Sequence, residues 1–336
     1  MKIRPRCFLF CLTVLISGVP AADEQIPRLS SGEPDLQGIW TNATVTMLER
    51  PKQVEKSVLT PQEAALYERL AEQQFSDEGI NAPPPSDDPT DGAAAIAGGV
   101  GAYNAFWIDP GTKLAVVNGE IRTALIVEPA DGKLPIRPES VVKIGQFIHG
   151  VTHAFDGPEQ RPTGERCIVG FGSTGGPPML PVLYNNHYQI VQTPEHIMIL
   201  VEMNHDARII RMNGKHLPDA IRPWLGDSIG HWDGNTLVVE TKNFPPGQSF
   251  REAVKHLLYF TEDLVVTERF TRTSAHEILY EFTVDDPGAF TQPWSGEIPL
   301  RAAAGQIYEY ACHEGNYALP GILAGARAGE AMAGGE

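Results

Sequence analysis

Apolar and polar residues alternate over short stretches in the second half of the chain. Between residues 277 and 284, Ile278, Tyr280, Phe282 and Val284 alternate with more polar neighbours, a pattern typical of a strand with one buried face. Asn-Gly and Asp-Gly dipeptides predict tight turns between strands. The other strands predicted here cover 188–192, 196–202, 207–212, 231–232, 236–241 and 264–271.

The first half of the chain predicts two helices among shorter strands. Thr60-Pro61-Gln62-Glu63 combines an N-cap, a proline in the first turn and a capping-box glutamate, so we expect a helix that runs to about Phe75. Apolar residues spaced three and four apart predict a second helix over 139–154. Strands are predicted over 35–41, 104–108, 113–117 and 121–128.

About ten short strands with two or three peripheral helices indicate a mainly β fold. We expect either an antiparallel barrel, calycin-like in type, or a sandwich. Gly38-Ile39-Trp40 on the first strand resembles the Gly-x-Trp that opens lipocalin barrels, where the tryptophan closes the barrel floor. The resemblance implies that Trp40 lies at one end of a barrel.

The first 22 residues have the layout of a secretory signal peptide. Lys2, Arg4 and Arg6 precede an apolar stretch that ends at small residues. This stretch is short for a bilayer span, so we expect cleavage near Ala22 and no membrane insertion afterwards, with a retained anchor as the alternative. The mature protein is therefore expected in the periplasm or outside the cell.

The mature chain is predicted to have two parts. Residues 23–102 supply a leader strand, a helix and an acidic loop rich in Pro and Gly, and residues 103–336 form the antiparallel β domain with a C-terminal tail. The loop, at 76–101, contains too little apolar surface to fold alone and is expected to be a mobile loop or a lid.

Three stretches, at 201–209, 226–241 and 308–317, resemble segments of a group of exported bacterial β-rich proteins. The resemblance extends over most of the mature chain after about Asp35. It implies export and β content, but it implies neither a reaction nor a catalytic residue.

Charge restricts the partners of the mature protein. The whole chain has a formal charge of −16, and losing the three basic leader residues lowers it to −19. Phosphate would be repelled by such a chain, so nucleic-acid binding is excluded and an anionic membrane surface is disfavoured. A neutral or cationic small molecule is the expected partner.

Two cysteines remain after the leader is removed. An even number in an oxidising compartment favours a disulfide between Cys167 and Cys312, with two buried thiols as the alternative. The bridge would tie the C-terminal tail to the middle of the chain.

The densest polar cluster lies between two predicted strands, at residues 202–208. His205, Asp206 and Arg208 are candidate catalytic residues, because a histidine held by an acid can act as a base and an arginine can bind an anionic oxygen. Glu202 and Asn204 are candidate ligand-binding residues. The alternative is a solvated turn in which Arg208 pairs with one of the acids.

Two further clusters are candidates for the site. His313 and Tyr317, beside Cys312, could form an acid/base pair, or the segment could be a structural cap. Asp227, His231 and Trp232 form a candidate ligand-binding group. No metal or cofactor is expected: His149 and His153 share a helix face but lack a zinc motif, and no phosphate loop is present.

The function predicted from these residues is acid/base chemistry on a small, partly apolar or aromatic molecule, of lyase, isomerase or hydrolase type. A lipocalin-like binding protein for a hydrophobic molecule in the periplasm is the first alternative. An envelope interaction module is the second.

Overall fold

The computed structural model describes residues 26–76, 108–170, 172–254 and 256–334. The predicted signal peptide and nearly all of the acidic loop lie outside these residues, as does most of the strand expected at 104–108. The helices are α1 (Pro61–Gln74), α2 (Pro138–His153) and α3 (Ala318–Ala333). The strands are β1 (Gly38–Thr41), β2 (Val58–Leu59), β3 (Val116–Val117), β4 (Glu120–Arg122), β5 (Ile126–Glu128), β6 (His187–Gln192), β7 (His196–Val201), β8 (Ala207–Met212), β9 (Asp227–Asp233), β10 (Thr236–Lys242), β11 (Phe250–Ala253), β12 (His256–Tyr259), β13 (Val265–Arg272), β14 (Glu277–Asp285) and β15 (Trp294–Ala302).

Nine of these strands form a closed barrel. Their order is β1-β6-β7-β8-β9-β10-β13-β14-β15, and β15 pairs back onto β1 with Trp40 opposite Ala302. Strand β5 pairs with β15 at Ser295 and Gly296. The barrel prediction is therefore confirmed over the sandwich. One pair, β8–β9, is parallel, because strands of an odd number cannot alternate in direction all the way round a closed sheet.

Large aromatic side chains fill the barrel. Alternate residues of β14 point inward as predicted, and the ring of Tyr280 lies 4.9 Å from that of Phe270. Trp40 is buried; its indole nitrogen donates to the Leu36 carbonyl, and the guanidinium of Arg272 lies 5.0 Å from its ring centre. Burial of such rings is a large stabilising contribution to a β domain.

A stretch without regular secondary structure completes the core. Residues 172–182, the inner segment, are buried throughout, although the sequence predicts only a loop up to 178. Backbone groups of Met179 are paired inside the fold: its N–H donates to the Tyr280 hydroxyl and its carbonyl accepts from the Asn42 amide. A buried loop requires such partners, because unpaired backbone groups are costly away from water.

The two predicted helices are confirmed and a third was missed. At α1 the capping box forms as expected, with the Glu63 carboxylate accepting from the Thr60 N–H. Bonds from Lys56 and then Thr60 lower the pKa of Glu63 to about 2. Helix α2 buries only Ser140, so much of its apolar pattern stays exposed. Helix α3 is rich in alanine and glycine, so it lacks the apolar periodicity that would predict a helix.

Candidate functional site

The predicted disulfide is present and joins the C-terminal segment to the loop that follows α2. Cys167 and Cys312 are bonded with their α-carbons 5.8 Å apart. The side-chain Nδ2 of Asn316 lies 3.5 Å from the Cys167 sulfur, and its side-chain Oδ1 accepts from the Ala318 N–H. Asn316 thus satisfies a backbone group, as the structural-cap alternative for the segment expects of it. The candidate catalytic residues His313 and Tyr317 are both exposed.

Glu202 forms a carboxylate–imidazole pair that the sequence did not indicate. Its Oε2 lies 3.0 Å from Nδ1 of His187, at the start of β6. The hydrogen bond with Glu202 raises the pKa of His187 against the effect of burial. Burial raises the pKa of Glu202, but the bond and charge of His187, together with bonds from Tyr308 and Asn185, outweigh it, so the net shift is downward. The Tyr308 N–H also approaches Glu202, at 3.5 Å.

Asp206 lies in a tight turn between β7 and β8. Its Oδ2 accepts from the Gly170 N–H at 2.8 Å and its Oδ1 accepts from the Asn204 amide at 3.3 Å. Burial raises the pKa of Asp206 in spite of these bonds. Its neighbour His205 is exposed to solvent.

Arg208 lies in the barrel interior, where its Nη1 and Nη2 donate to the two carboxylate oxygens of Glu268 on β13. The Tyr280 hydroxyl donates to the same carboxylate at 2.9 Å. The structure therefore does not bring Arg208 together with His205, which is on the surface. Within the turn, the Asn204 amide donates to Asp206, whereas the Glu202 carboxylate pairs with His187 on β6.

The third predicted cluster is divided between two environments. Asp227 is held by Arg211 at 2.7 Å and by Nδ1 of His216 at 2.9 Å, so its carboxylate is engaged within the fold. His231 is exposed, while Trp232 is partly buried and packs against the core. Asp227 and His231 thus have separate surroundings.

A groove outside the barrel is lined by residues that belong to none of the predicted clusters. It has a volume of about 480 Å³ and lies between α2, the loop at 162–165 and the β11–β12 hairpin. Stacking of Phe147 on Phe250, with ring centres 4.2 Å apart, holds α2 against the hairpin. Its lining includes the side chains of Phe147, Ile148, Val151, Leu257, Glu165 and Glu252.

Two carboxyl groups line this mainly apolar groove in different settings. Glu165 is bound through both oxygens by buried Arg161, at 2.9 and 3.0 Å. Arg161 is fixed in turn by the Val151 carbonyl of α2. Glu252 keeps contact with solvent on the open side of the groove, yet the protein atoms packed around it, and to a smaller extent the charge of Glu165, raise its pKa. The arrangement combines an anchored carboxylate with a carboxyl that holds its proton more readily.

Sequence reasoning missed both of these acids. Arg161 and Glu165 have the i,i+4 spacing of an ion pair, which was the available signal for one of them. Glu252 sits in a short hairpin, and its proximity to Glu165 depends on how that hairpin folds against α2.

The described ranges contain no group of three or more His, Cys, Asp or Glu residues able to hold a metal ion. His149 and His153 stack face to face at 4.2 Å on the exposed side of α2. Among the helices in these same ranges, none is long and apolar enough to cross a bilayer.

Comparisons of the chain with family models, with curated proteins and with solved structures gave no match.

Proposed function

We propose that this protein is an exported acid/base enzyme whose substrate, a small and partly apolar molecule, binds in the groove beside α2. Glu252 is the proton donor and Glu165 is the anchored carboxylate. The observation that supports this is the groove itself, in which two carboxyl groups with different environments line an apolar space of about 480 Å³.

A difference between two carboxyl groups is what general acid/base catalysis needs. A carboxyl with a raised pKa keeps its proton nearer to neutral pH and can deliver it to a leaving group or a carbonyl oxygen. The second carboxylate can take a proton or attract developing positive charge. Glu165 suits this role because Arg161 fixes its orientation, and a fixed base loses less entropy on reaching the reactive geometry.

The groove and the charge of the chain support one class of substrate. Phe147, Ile148, Val151 and Leu257 supply apolar surface for a ring or a short alkyl chain. The acids and the formal charge of −16 favour a neutral or cationic compound over an anionic one. Cleavage of the predicted leader, with a disulfide that persists in oxidising surroundings, supports action in the periplasm or outside the cell.

A carrier function differs from this proposal only in the absence of turnover. The aromatic side chains and the inner segment occupy the barrel core, so a carried molecule would use the groove rather than a central calyx. The alternative therefore concerns the same residues.

The test uses the mature protein and a panel of neutral and cationic aromatic compounds bearing hydroxyl, carbonyl or amine groups. Each is incubated with the protein, and both substrate loss and product are followed by mass spectrometry. Turnover is expected for at least one compound, with Glu252→Gln reducing it about 100-fold or more, the scale of a lost general acid. Glu314→Gln, at an exposed position, is the matched control and should leave the rate unchanged.

Two results would overturn the proposal. Binding without turnover would indicate a carrier, and equal turnover in Glu252→Gln and the unaltered protein would place the chemistry elsewhere.

A further inference from the structure

Two histidines near the C-terminal end of α2 stand side by side in solvent. His149 and His153 are four residues apart, and both are exposed. Their rings are nearly parallel, with 7° between the ring planes and 4.2 Å between the ring centres. Residues at this spacing lie on one face of a helix, one turn apart. The two imidazoles therefore leave the helix in the same direction.

Hydrogen bonds at the end of α2 determine which ring nitrogen of His153 carries the proton. Its Nδ1 lies 3.0 Å from the His149 carbonyl oxygen and 2.8 Å from the Thr152 hydroxyl. A carbonyl oxygen can only accept, so Nδ1 carries the proton and donates it. The Thr152 hydroxyl donates to the Ile148 carbonyl at 3.0 Å, which lets its oxygen accept from Nδ1. Nε2 of His153 then carries the lone pair that a metal ion requires.

The separation of the two rings suits a single metal ion. Metal–imidazole bonds of about 2.0–2.1 Å can join two nitrogens that are about 3–4 Å apart. Rings whose centres are 4.2 Å apart reach such a distance through small side-chain rotations, while α2 holds both backbone positions. His153 is also the last residue of α2, and the carbonyl dipoles at the C-terminal end of a helix attract positive charge.

Arg161 is a positive charge at the same end of α2. Its Nη1 donates to the carbonyls of Val151 and Ala154. Both oxygens of Glu165 accept from this guanidinium, which is buried, with 3% of its side chain exposed. The charge of Arg161 is thus paired inside the fold, so it leaves the exposed face of the two histidines open to a cation.

We propose that His149 and His153 together bind one divalent transition-metal ion through a ring nitrogen of each, with Cu²⁺ held more tightly than Ni²⁺ or Zn²⁺. Imidazole suits these three metals, and the affinity of a given site is highest for copper. The described ranges hold no group of three His, Cys, Asp or Glu residues that could enclose an ion, so water or an external ligand occupies the other coordination positions. Binding requires no substrate and no turnover, so this site and the groove chemistry succeed or fail separately.

The first test is electron paramagnetic resonance of the mature protein, prepared without an affinity tag and given one equivalent of Cu²⁺ at neutral pH. Hyperfine coupling to the nitrogens of two imidazoles is expected. His149→Gln and His153→Gln should each lose the signal of one imidazole. His196→Gln, at an exposed position on β7, is the matched control and should keep both. A spectrum that is unchanged in either α2 variant would overturn the proposal.

The second test measures the affinity for Cu²⁺ and for Ni²⁺ by isothermal titration calorimetry. His149→Gln and His153→Gln should each weaken binding about 100-fold, because a second linked ligand acts at high effective concentration. Both positions are exposed, so the substitutions leave the core intact, which circular dichroism checks. His196→Gln should retain the full affinity. Equal affinities in all variants, or an equal loss in His196→Gln, would show adventitious binding to scattered histidines and would rule the site out.

Discussion

Arg208 and Glu268 form a bidentate ion pair across the inside of the barrel, with their side chains 1% and 0% exposed. The two residues lie on β8 and β13, and the Tyr280 hydroxyl on β14 completes the network. Coulomb attraction from Glu268 raises the pKa of Arg208, although burial alone would lower it. The pair therefore neutralises Arg208 inside the core, although the sequence made this arginine a candidate catalytic residue.

Removing one partner of this pair should destabilise the barrel strongly. Arg208→Met leaves Glu268 buried without a counter-ion, so we expect a loss of about 3–5 kcal/mol in the free energy of unfolding, measured by urea denaturation. The double variant Arg208→Met/Glu268→Leu should recover much of the loss, since two apolar side chains leave no isolated charge. A loss below about 1 kcal/mol in the single variant would contradict a buried pair.

The His187–Glu202 pair should give stability with a defined pH window. The raised pKa of His187 means that its contribution is present below its ordinary value of 6.5 and is lost as pH rises through the folded-state pKa. The lowered pKa of Glu202 means that its contribution is present above 4.5 and is lost as pH falls through the folded-state pKa. The pair therefore stabilises most between these two values.

The measurement is the difference in unfolding free energy between the unaltered protein and Glu202→Gln, taken from pH 3 to pH 9. A plateau with a fall on both sides is expected. Glu195→Gln, at an exposed position, serves as the control and should give a small difference without that window. A flat difference for Glu202→Gln would show that the pair contributes nothing.

Loss of the Cys167–Cys312 bond should weaken the whole fold and release the C-terminal segment. The bond spans 145 residues, and removing a native disulfide costs about 2–5 kcal/mol. The double variant Cys167→Ser/Cys312→Ser is expected to show this loss in denaturant and to be cleaved between residues 303 and 317 by a protease that spares the oxidised protein. An unchanged cleavage pattern would mean that other contacts hold the segment.

Gly296 on β15 should not tolerate a methyl group. A Cβ there would lie 2.4 Å from the Phe282 ring and 3.0 Å from the Leu125 carbonyl oxygen, where β14, β15 and β5 meet. Gly296→Ala is expected to lower the unfolding free energy by about 1–3 kcal/mol, the usual cost of overpacking. Gly145→Ala on α2 has open space around it and should be neutral or stabilising, which thermal unfolding of both variants will show.

Local patterns predicted the elements well where neighbours along the chain decide the structure. The capping box of α1 and the alternation of β14 are examples, because each depends on residues only a few positions apart. Strand β15 was missed since Gly296 and Pro299 interrupt its pattern. Its long pairing with β14 outweighs these weak local preferences.

The sequence by itself determined the mainly β composition, the two predicted helices and the cysteine pair, because periodicity, capping and cysteine number can be read along the chain. Only the tertiary structure decided that Arg208 pairs with Glu268 and that Glu165 and Glu252 share a groove. Barrel closure joins strands separated by dozens of residues, so it determines which charges become buried and paired. The chemistry of a polar residue follows from those distant neighbours, and they are not encoded in its local pattern.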